Sequence, residues 1–320
     1  MAVAARRGWL IAAFVAIYLI WGSTYLGIRF AIETIPPFLL SATRFGLAGL
    51  IMLVAASVRG ETAITVPQFR TAAIVGSMLM FANSLVGVAE KRIPSGVAAL
   101  LVAMTPVFMV LLEWARPSGK RPTLLVAIGL LIGIAGVAAL VGPASFGSGA
   151  RIDLIGAATV VLGSFAWSAG AILSRHAPKA QSALMMTAIQ MLIGGVFVGV
   201  LAIARGELAT FDISAVSSRS LTAWVYLLVF GSLIGFSAFV YLLRVSTAAR
   251  VATYAYVNPV VAVLLGWAIA GEAVTLRSGL AAAGIVAAVA IIIRYGGQRR
   301  AAVRPAAPVV ELAMRAGRSS

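Results

Sequence analysis

The side chains able to do acid–base, nucleophilic or metal chemistry are few, and they stand at the margins of long apolar runs. The nine acids are Glu33, Glu61, Glu90, Glu113, Asp153, Glu207, Asp212, Glu272 and Glu311. Each falls at the end of an apolar run, in a polar break or in the C-terminal tail. A hydrolase working at membrane depth needs a carboxylate pair or a metal cluster there. The single His176 excludes a multi-histidine metal site within one chain. The absence of cysteine excludes disulfides, thiolate catalysis and Cys-ligated zinc. There is no Gly-x-x-x-x-Gly-Lys-Ser/Thr phosphate loop. The sequence therefore predicts no enzyme, no metal and no cofactor.

What remains is polar and aromatic chemistry suited to binding. Trp21 and Tyr25 are four residues apart and share a helix face, with Thr24 beside them. Ser164, Trp167 and Ser168 make a matching face further on, and Ser237 and Tyr241 another. Tyr254 and Asn258 share a face just before Pro259. Asn83 lies midway along its own run. Such residues suit a small amphipathic solute, with ring faces for any ammonium group. Mid-helix Ser and Thr also serve simply to bond helix to helix. Arg44 is the one basic residue well inside a run, about 9 Å in at 1.5 Å per residue. It can meet a substrate carboxylate, snorkel outward or bond a helix-end carbonyl. Glu90 lies two turns from Asn83 on roughly one face. It reads either as a gate or proton-coupling site, or as a rim salt bridge to Lys91 or Arg92.

The elements that hold these residues follow from composition. Of 320 residues, 62% are hydrophobic and 11% charged, with mean hydropathy +1.05. Soluble domains are about 45–50% apolar and about 25% charged, so this chain belongs in a bilayer. The formal charge of +16 does not point to nucleic acid, because basic residues punctuate the apolar runs instead of forming one patch. Ten runs of near membrane-spanning length lie near residues 9–28, 38–58, 71–89, 95–113, 123–142, 154–174, 182–204, 221–243, 250–270 and 277–294. The first resembles a signal peptide, but it is too long and lacks a clear small-residue cleavage site, so it reads as a retained helix. With the N-terminus inside, inner segments hold 17 Lys and Arg against 7 outside, and 11 against 7 without the tail. Both termini are thus expected in the cytoplasm.

The chain also echoes itself. Val97–Leu112 repeats the pattern of Val251–Gly266, with Thr105-Pro106 falling on Asn258-Pro259 at an offset of 153. Both stretches are proline-interrupted, so Pro106 and Pro259 are hinge candidates; Pro259 frees the carbonyl of Ala255. Trp21 and Arg29 recur as Trp167 and Arg175 at an offset of 146, and Arg44 falls on Gln190. Five helices per half means that the halves insert with opposite topology. The predicted fold is all-α: ten transmembrane helices forming two inverted-topology five-helix repeats, residues 1–148 and 149–295, around a central cavity. A basic cytoplasmic tail follows at 296–320.

These motifs resemble one family. Trp21-Gly22-Ser23-Thr24, Arg44-Phe45, Ala89-Glu90 with Pro94-Ser95-Gly96, Thr105-Pro106, and Tyr254-Ala-Tyr-Val-Asn-Pro259 followed by Gly271-Glu272 are similar to the EamA-type members of the drug/metabolite transporter superfamily. The likeness covers about residues 9–295. One departure is the lack of a Gly-Glu after the fourth helix to match Gly271-Glu272. The resemblance implies a ten-helix inner-membrane carrier, commonly an exporter.

The expected function is export of small amphipathic metabolites by alternating access, with amino acids or related amines first among them. A multidrug or quaternary-ammonium exporter is the alternative within transport; a structural membrane protein without transport is the alternative outside it. The expected partners are the solute and the lipid bilayer, with no nucleic acid and no obligate protein partner.

Overall fold

Proline, glycine and capping side chains cut the apolar sequence into helices. The computed structural model describes residues 2–117, 121–141, 152–178, 181–246, 251 and 253–296. The first half holds α1 (Ala2–Ala31), α2 (Pro37–Val58), α3 (Val66–Glu90), α4 (Ser95–Val102), α5 (Thr105–Ala115) and α6 (Leu124–Val141). The second holds α7 (Leu154–His176), α8 (Ala183–Ala204), a short α9 (Glu207–Thr210), α10 (Ser218–Tyr226), α11 (Gly235–Val245), α12 (Tyr254–Ala270) and α13 (Leu276–Gly296). No strand occurs among the described residues. Most of the predicted basic tail, from residue 297, lies outside them.

The ends have local causes. Pro37 opens α2, where a missing N–H costs nothing. Thr65 and Gln68 form a reciprocal capping box on α3. Ser182 caps α8, donated to by Met185 N–H at 3.0 Å. Asp153 caps α7, accepting from Gly156 N–H at 2.6 Å. That backbone bond, helped by Arg92, holds the Asp153 carboxyl below the usual aspartate range. Gly60 (φ 71°) and Gly206 (φ 72°) turn the chain through the left-handed region after α2 and α8.

Eight stretches are long and apolar enough to cross a membrane: Gly8–Ala31, Pro37–Val58, Val66–Glu90, Ser95–Ala115, Leu154–His176, Ala183–Ala204, Ser218–Phe239 and Ser278–Tyr295. The other two expected runs hold the shorter apolar helices Leu124–Ala139 and Val257–Ala270. Large apolar side chains cover the outside, among them Leu19, Leu131, Ile203 and Leu264, as a lipid-facing surface requires.

Two runs are not the single α-helices that hydropathy predicts. The fourth breaks at Ala103-Met104, and Pro106 sits in the first turn of α5. The eighth passes from α10 through a π-helical segment, Leu227–Ile234, into α11. The proline stretches also differ from one another. Pro259 lies inside α12, which starts only at Tyr254, so that helix continues through its proline.

Packing joins the two halves. α2 packs on α8, α3 on α7 and α8, α6 on α13, and α1 on α12, α10 and α11. α4 and α5 pack on α7, and α4 also meets α12. Two apolar clusters form the core, one around Leu40, Leu100, Leu101 and Leu227, the other around Phe45, Met80 and Met191. The α2–α8 crossing depends on glycine. A Cβ on Gly49 would stand 2.4 Å from Leu192 N, and one on Gly195 would stand 2.6 Å from Gly46 N. These contacts are reciprocal, since Gly49/Gly195 and Gly46/Leu192 are each separated by 146 residues.

Candidate functional site

Trp21 is the centre of an aromatic group between α1, α11 and α12. Its ring meets Tyr254 edge-on at 5.2 Å, Phe236 at 5.4 Å and Phe239 at 5.1 Å. Such pairs add roughly 0.5–1.5 kcal/mol each beyond area burial. Its indole Nε1 donates to the Gly231 carbonyl at 3.3 Å, inside the π-helical segment. Gly235 permits this approach: a Cβ there would lie 2.5 Å from Nε1. Wide helical turns of this kind recur at functional sites.

The face of α1 that carries Trp21 is tied down by its polar neighbours. The Tyr18 hydroxyl bonds Thr253 Oγ1, and Ser23 Oγ lies 2.5 Å from the Tyr226 hydroxyl. Thr24 donates to the Trp21 carbonyl at 2.6 Å, one turn back. Asn258 is 6% exposed. With its amide nitrogen turned toward the carbonyls, it donates to Tyr18 O at 3.3 Å and Tyr254 O at 3.2 Å. Gly22 allows the contact, because a Cβ there would press on Val261 and the Asn258 carbonyl.

A second group forms between α2, α3 and α7. Arg44 is buried at 4% exposure and donates to Asn83 Oδ1 at 2.7 Å. Its guanidinium carbon stands 4.0 Å from the Phe45 ring centre, and its Nε has no hydrogen-bond partner. The close acid–base contacts among the described residues are Arg92–Asp153, His176–Glu113 and Arg219–Glu33, so none of the described carboxylates pairs with Arg44. Trp167 packs on the cluster that contains Phe45. Ser168 donates to Ser164 O at 2.7 Å and to Thr105 O at 3.1 Å, fastening α7 to the break before α5. Ser164 is buried, and its hydroxyl has no partner.

Glu90 is completely buried, and neither carboxylate oxygen has a hydrogen-bond partner. The rim salt bridge is not formed: Arg92 pairs with Asp153 at 3.4 Å, and Lys91 is exposed. Arg29 bonds the main-chain carbonyl of Glu90 instead of its carboxylate. Next to this group Glu272 caps α4 from across the molecule. It accepts from Ser95 N at 2.7 Å, Ser95 Oγ at 2.8 Å and Gly96 N at 3.0 Å. Tyr25 is half-buried against the same core cluster as Ile93.

The predicted residues thus divide. Trp21, Thr24, Tyr254 and Asn258 come together, and so do Arg44 and Asn83. Ser237 and Tyr241 lie on an exposed face of α11, away from the Trp21 group. Phe236, Phe239, Gly231 and Gly235 were missed. They read as ordinary apolar and small positions, and only their apposition to Trp21 distinguishes them.

The arrangement defines a class: a multi-pass helical membrane protein with polar and aromatic groups buried between its halves. The chain belongs to the EamA-like transporter family, whose model matches residues 8–142 and 154–294. This is a family of transporters and not of enzymes. The inner membrane transporter YedA of Escherichia coli (strain K12) is 35% identical over 304 residues, covering 94% of this chain and 96% of YedA. A protein named a probable terminal-alkyne amino-acid exporter, from Streptantibioticus cattleyicolor, is 30% identical over 295 residues, covering 89% of this chain and 94% of the exporter. One crystal structure, 21% identical, matches 89% of this chain and 97% of its own with a TM-score of 0.58, a likeness of fold alone.

Proposed function

We propose that this transporter is a secondary carrier that exports small amphipathic solutes carrying a carboxylate, foremost amino acids, by alternating access. The observation that carries the reading is Arg44. A buried guanidinium with an unpartnered Nε and no carboxylate partner among the described residues is suited to meet a substrate anion. Asn83 and Phe45 hold it from two sides. The name of the Streptantibioticus relative points the same way. The Trp21–Tyr254 group would receive the apolar or ammonium part of the solute.

Ten helices in two inverted repeats, residues 1–148 and 149–295, are the architecture proposed to move this solute. Reciprocal contacts support it. Glu61 bonds Ser182 at the start of α8, and Glu207 accepts from Leu39 N at 2.9 Å at the start of α2. Glu61 and Glu207, like Gly60 and Gly206, are 146 residues apart. In such a repeat the halves rock about a midplane site. The break at Ala103-Met104 and the proline-bearing α12 are its bending points, and both termini face the cytoplasm of an inner membrane.

The test is uptake of labelled amino acids by proteoliposomes holding wild type, Arg44→Gln or Asn258→Ala. Saturable uptake by wild type is expected, with KM raised roughly 10- to 100-fold in Arg44→Gln, the worth of a charge-assisted hydrogen bond of about 1.5–3 kcal/mol. Quaternary-ammonium export predicts no such sensitivity to Arg44, and a structural role predicts no flux at all.

A further inference from the structure

We infer that Glu90 is a proton-carrying site, and that the protein exchanges a proton on this carboxyl against the solute it moves. The inference rests on the carrier reading above and names its coupling ion. Glu90 has zero exposure, and both carboxylate oxygens lack a donor. An ionised carboxylate without donors is very costly in an apolar interior, whereas the neutral acid is tolerated. This buried arrangement therefore requires a proton on Glu90.

Of the charges that face this group, Arg29 opposes the proton and Glu272 favours it. From α1, Tyr25 and Arg29 face the group, but Arg29 is engaged with the Glu90 main chain. From the turn after α12, Glu272 adds a like charge, and its oxygens are already taken by Ser95 and Gly96. On its own end, Lys91 and Arg92 point to solvent, and Arg92 holds Asp153 at the cap of α7. Ser95 and Gly96 are the polar groups of α4 at this end. α2 brings only Arg44, which bonds Asn83. α8 has no ionisable residue, and α7 carries only Arg175 and His176 at its opposite end.

Coupling follows from position. The residues just beyond Glu90 are exposed, so separating α4 from α12 at the Glu272 clamp would wet the carboxyl. Opening this rim would release the proton, and closing it would demand one.

Proteoliposomes loaded with pyranine test this with inward gradients of leucine, phenylalanine and threonine, alongside labelled counterflow of the same amino acids. Wild type is expected to alkalinise its lumen as solute enters. Glu90→Gln should lose that signal, and any counterflow that remains should no longer vary with pH. Glu90→Asp should restore the signal with a shifted pH profile, and Lys91→Ala should behave as wild type. A proton signal persisting in Glu90→Gln would overturn the inference. So would loss of all transport in both Glu90 variants, which would mark a structural residue. Wild-type counterflow without a lumen pH change would overturn the proton site while leaving the carrier reading intact. Absence of wild-type counterflow would remove the carrier reading first.

Discussion

Arg44, Asn258 and Glu272 are polar groups in an apolar protein, and each is handled differently. Asn258 is satisfied by two carbonyls and works as a tie between α1 and α12. Arg44 is only partly satisfied, which suits a binding role. Glu272 accepts three hydrogen bonds at the start of α4, where the helix dipole also favours negative charge. Glu272→Ala should unfasten α4 from α12. The cysteine-free chain makes this measurable: Ala98→Cys, fully buried in the parent and outside the clamp, should react with a polar maleimide at least about tenfold faster when Glu272 is removed, if the clamp is worth roughly 1.4 kcal/mol or more. Equal rates would show that the clamp does not hold the rim.

Among the helices, glycine decides which faces touch. Gly49→Val and Gly195→Val push side chains into backbone across the α2–α8 crossing, where nothing flexible can yield. Overpacking of this kind costs about 1–3 kcal/mol, so each should lower the melting temperature in detergent by several degrees. Gly46→Ala is the control, because its Cβ would meet nothing within 4 Å. A melting temperature unchanged in the valine variants would mean that the crossing is looser than described. The π-helical segment acts in the same way, since its Gly231 carbonyl reaches Trp21. Asp153 contributes at the α7 cap. Its lowered pKa means that this contribution is present at neutral pH and fades only as pH falls through the lowered value.

In the molecule as a whole, the proposed inverted repeat would set its two halves pointing opposite ways across the bilayer. Thr62→Cys follows α2, and Ile213→Cys precedes α10; both positions are exposed. In intact cells an impermeant maleimide should label Ile213→Cys and spare Thr62→Cys. The reverse pattern would invert the proposed orientation, and labelling of both or neither would contradict opposed halves.

The membrane class, the ten apolar runs, the family motifs and the 146-residue offset were all legible in the chain, because burial in lipid demands long apolar helices and duplication leaves residues in register. The candidate residues were legible as types, since a Trp, Asn or Arg stands out against Leu, Ala and Val. Their partners were not. That Glu90 would be buried and unpaired, although Lys91 and Arg92 follow it directly, depends on how α1, α4 and α12 close over it. That Arg44 would bond Asn83, and that Ser237 and Tyr241 would face outward, depends on helix rotation, which hydropathy constrains only weakly when nearly every face is apolar. Helix register and rotation are set by side chains meeting across hundreds of residues of sequence, so only the tertiary structure decides which polar groups find a partner and which are left free to bind one.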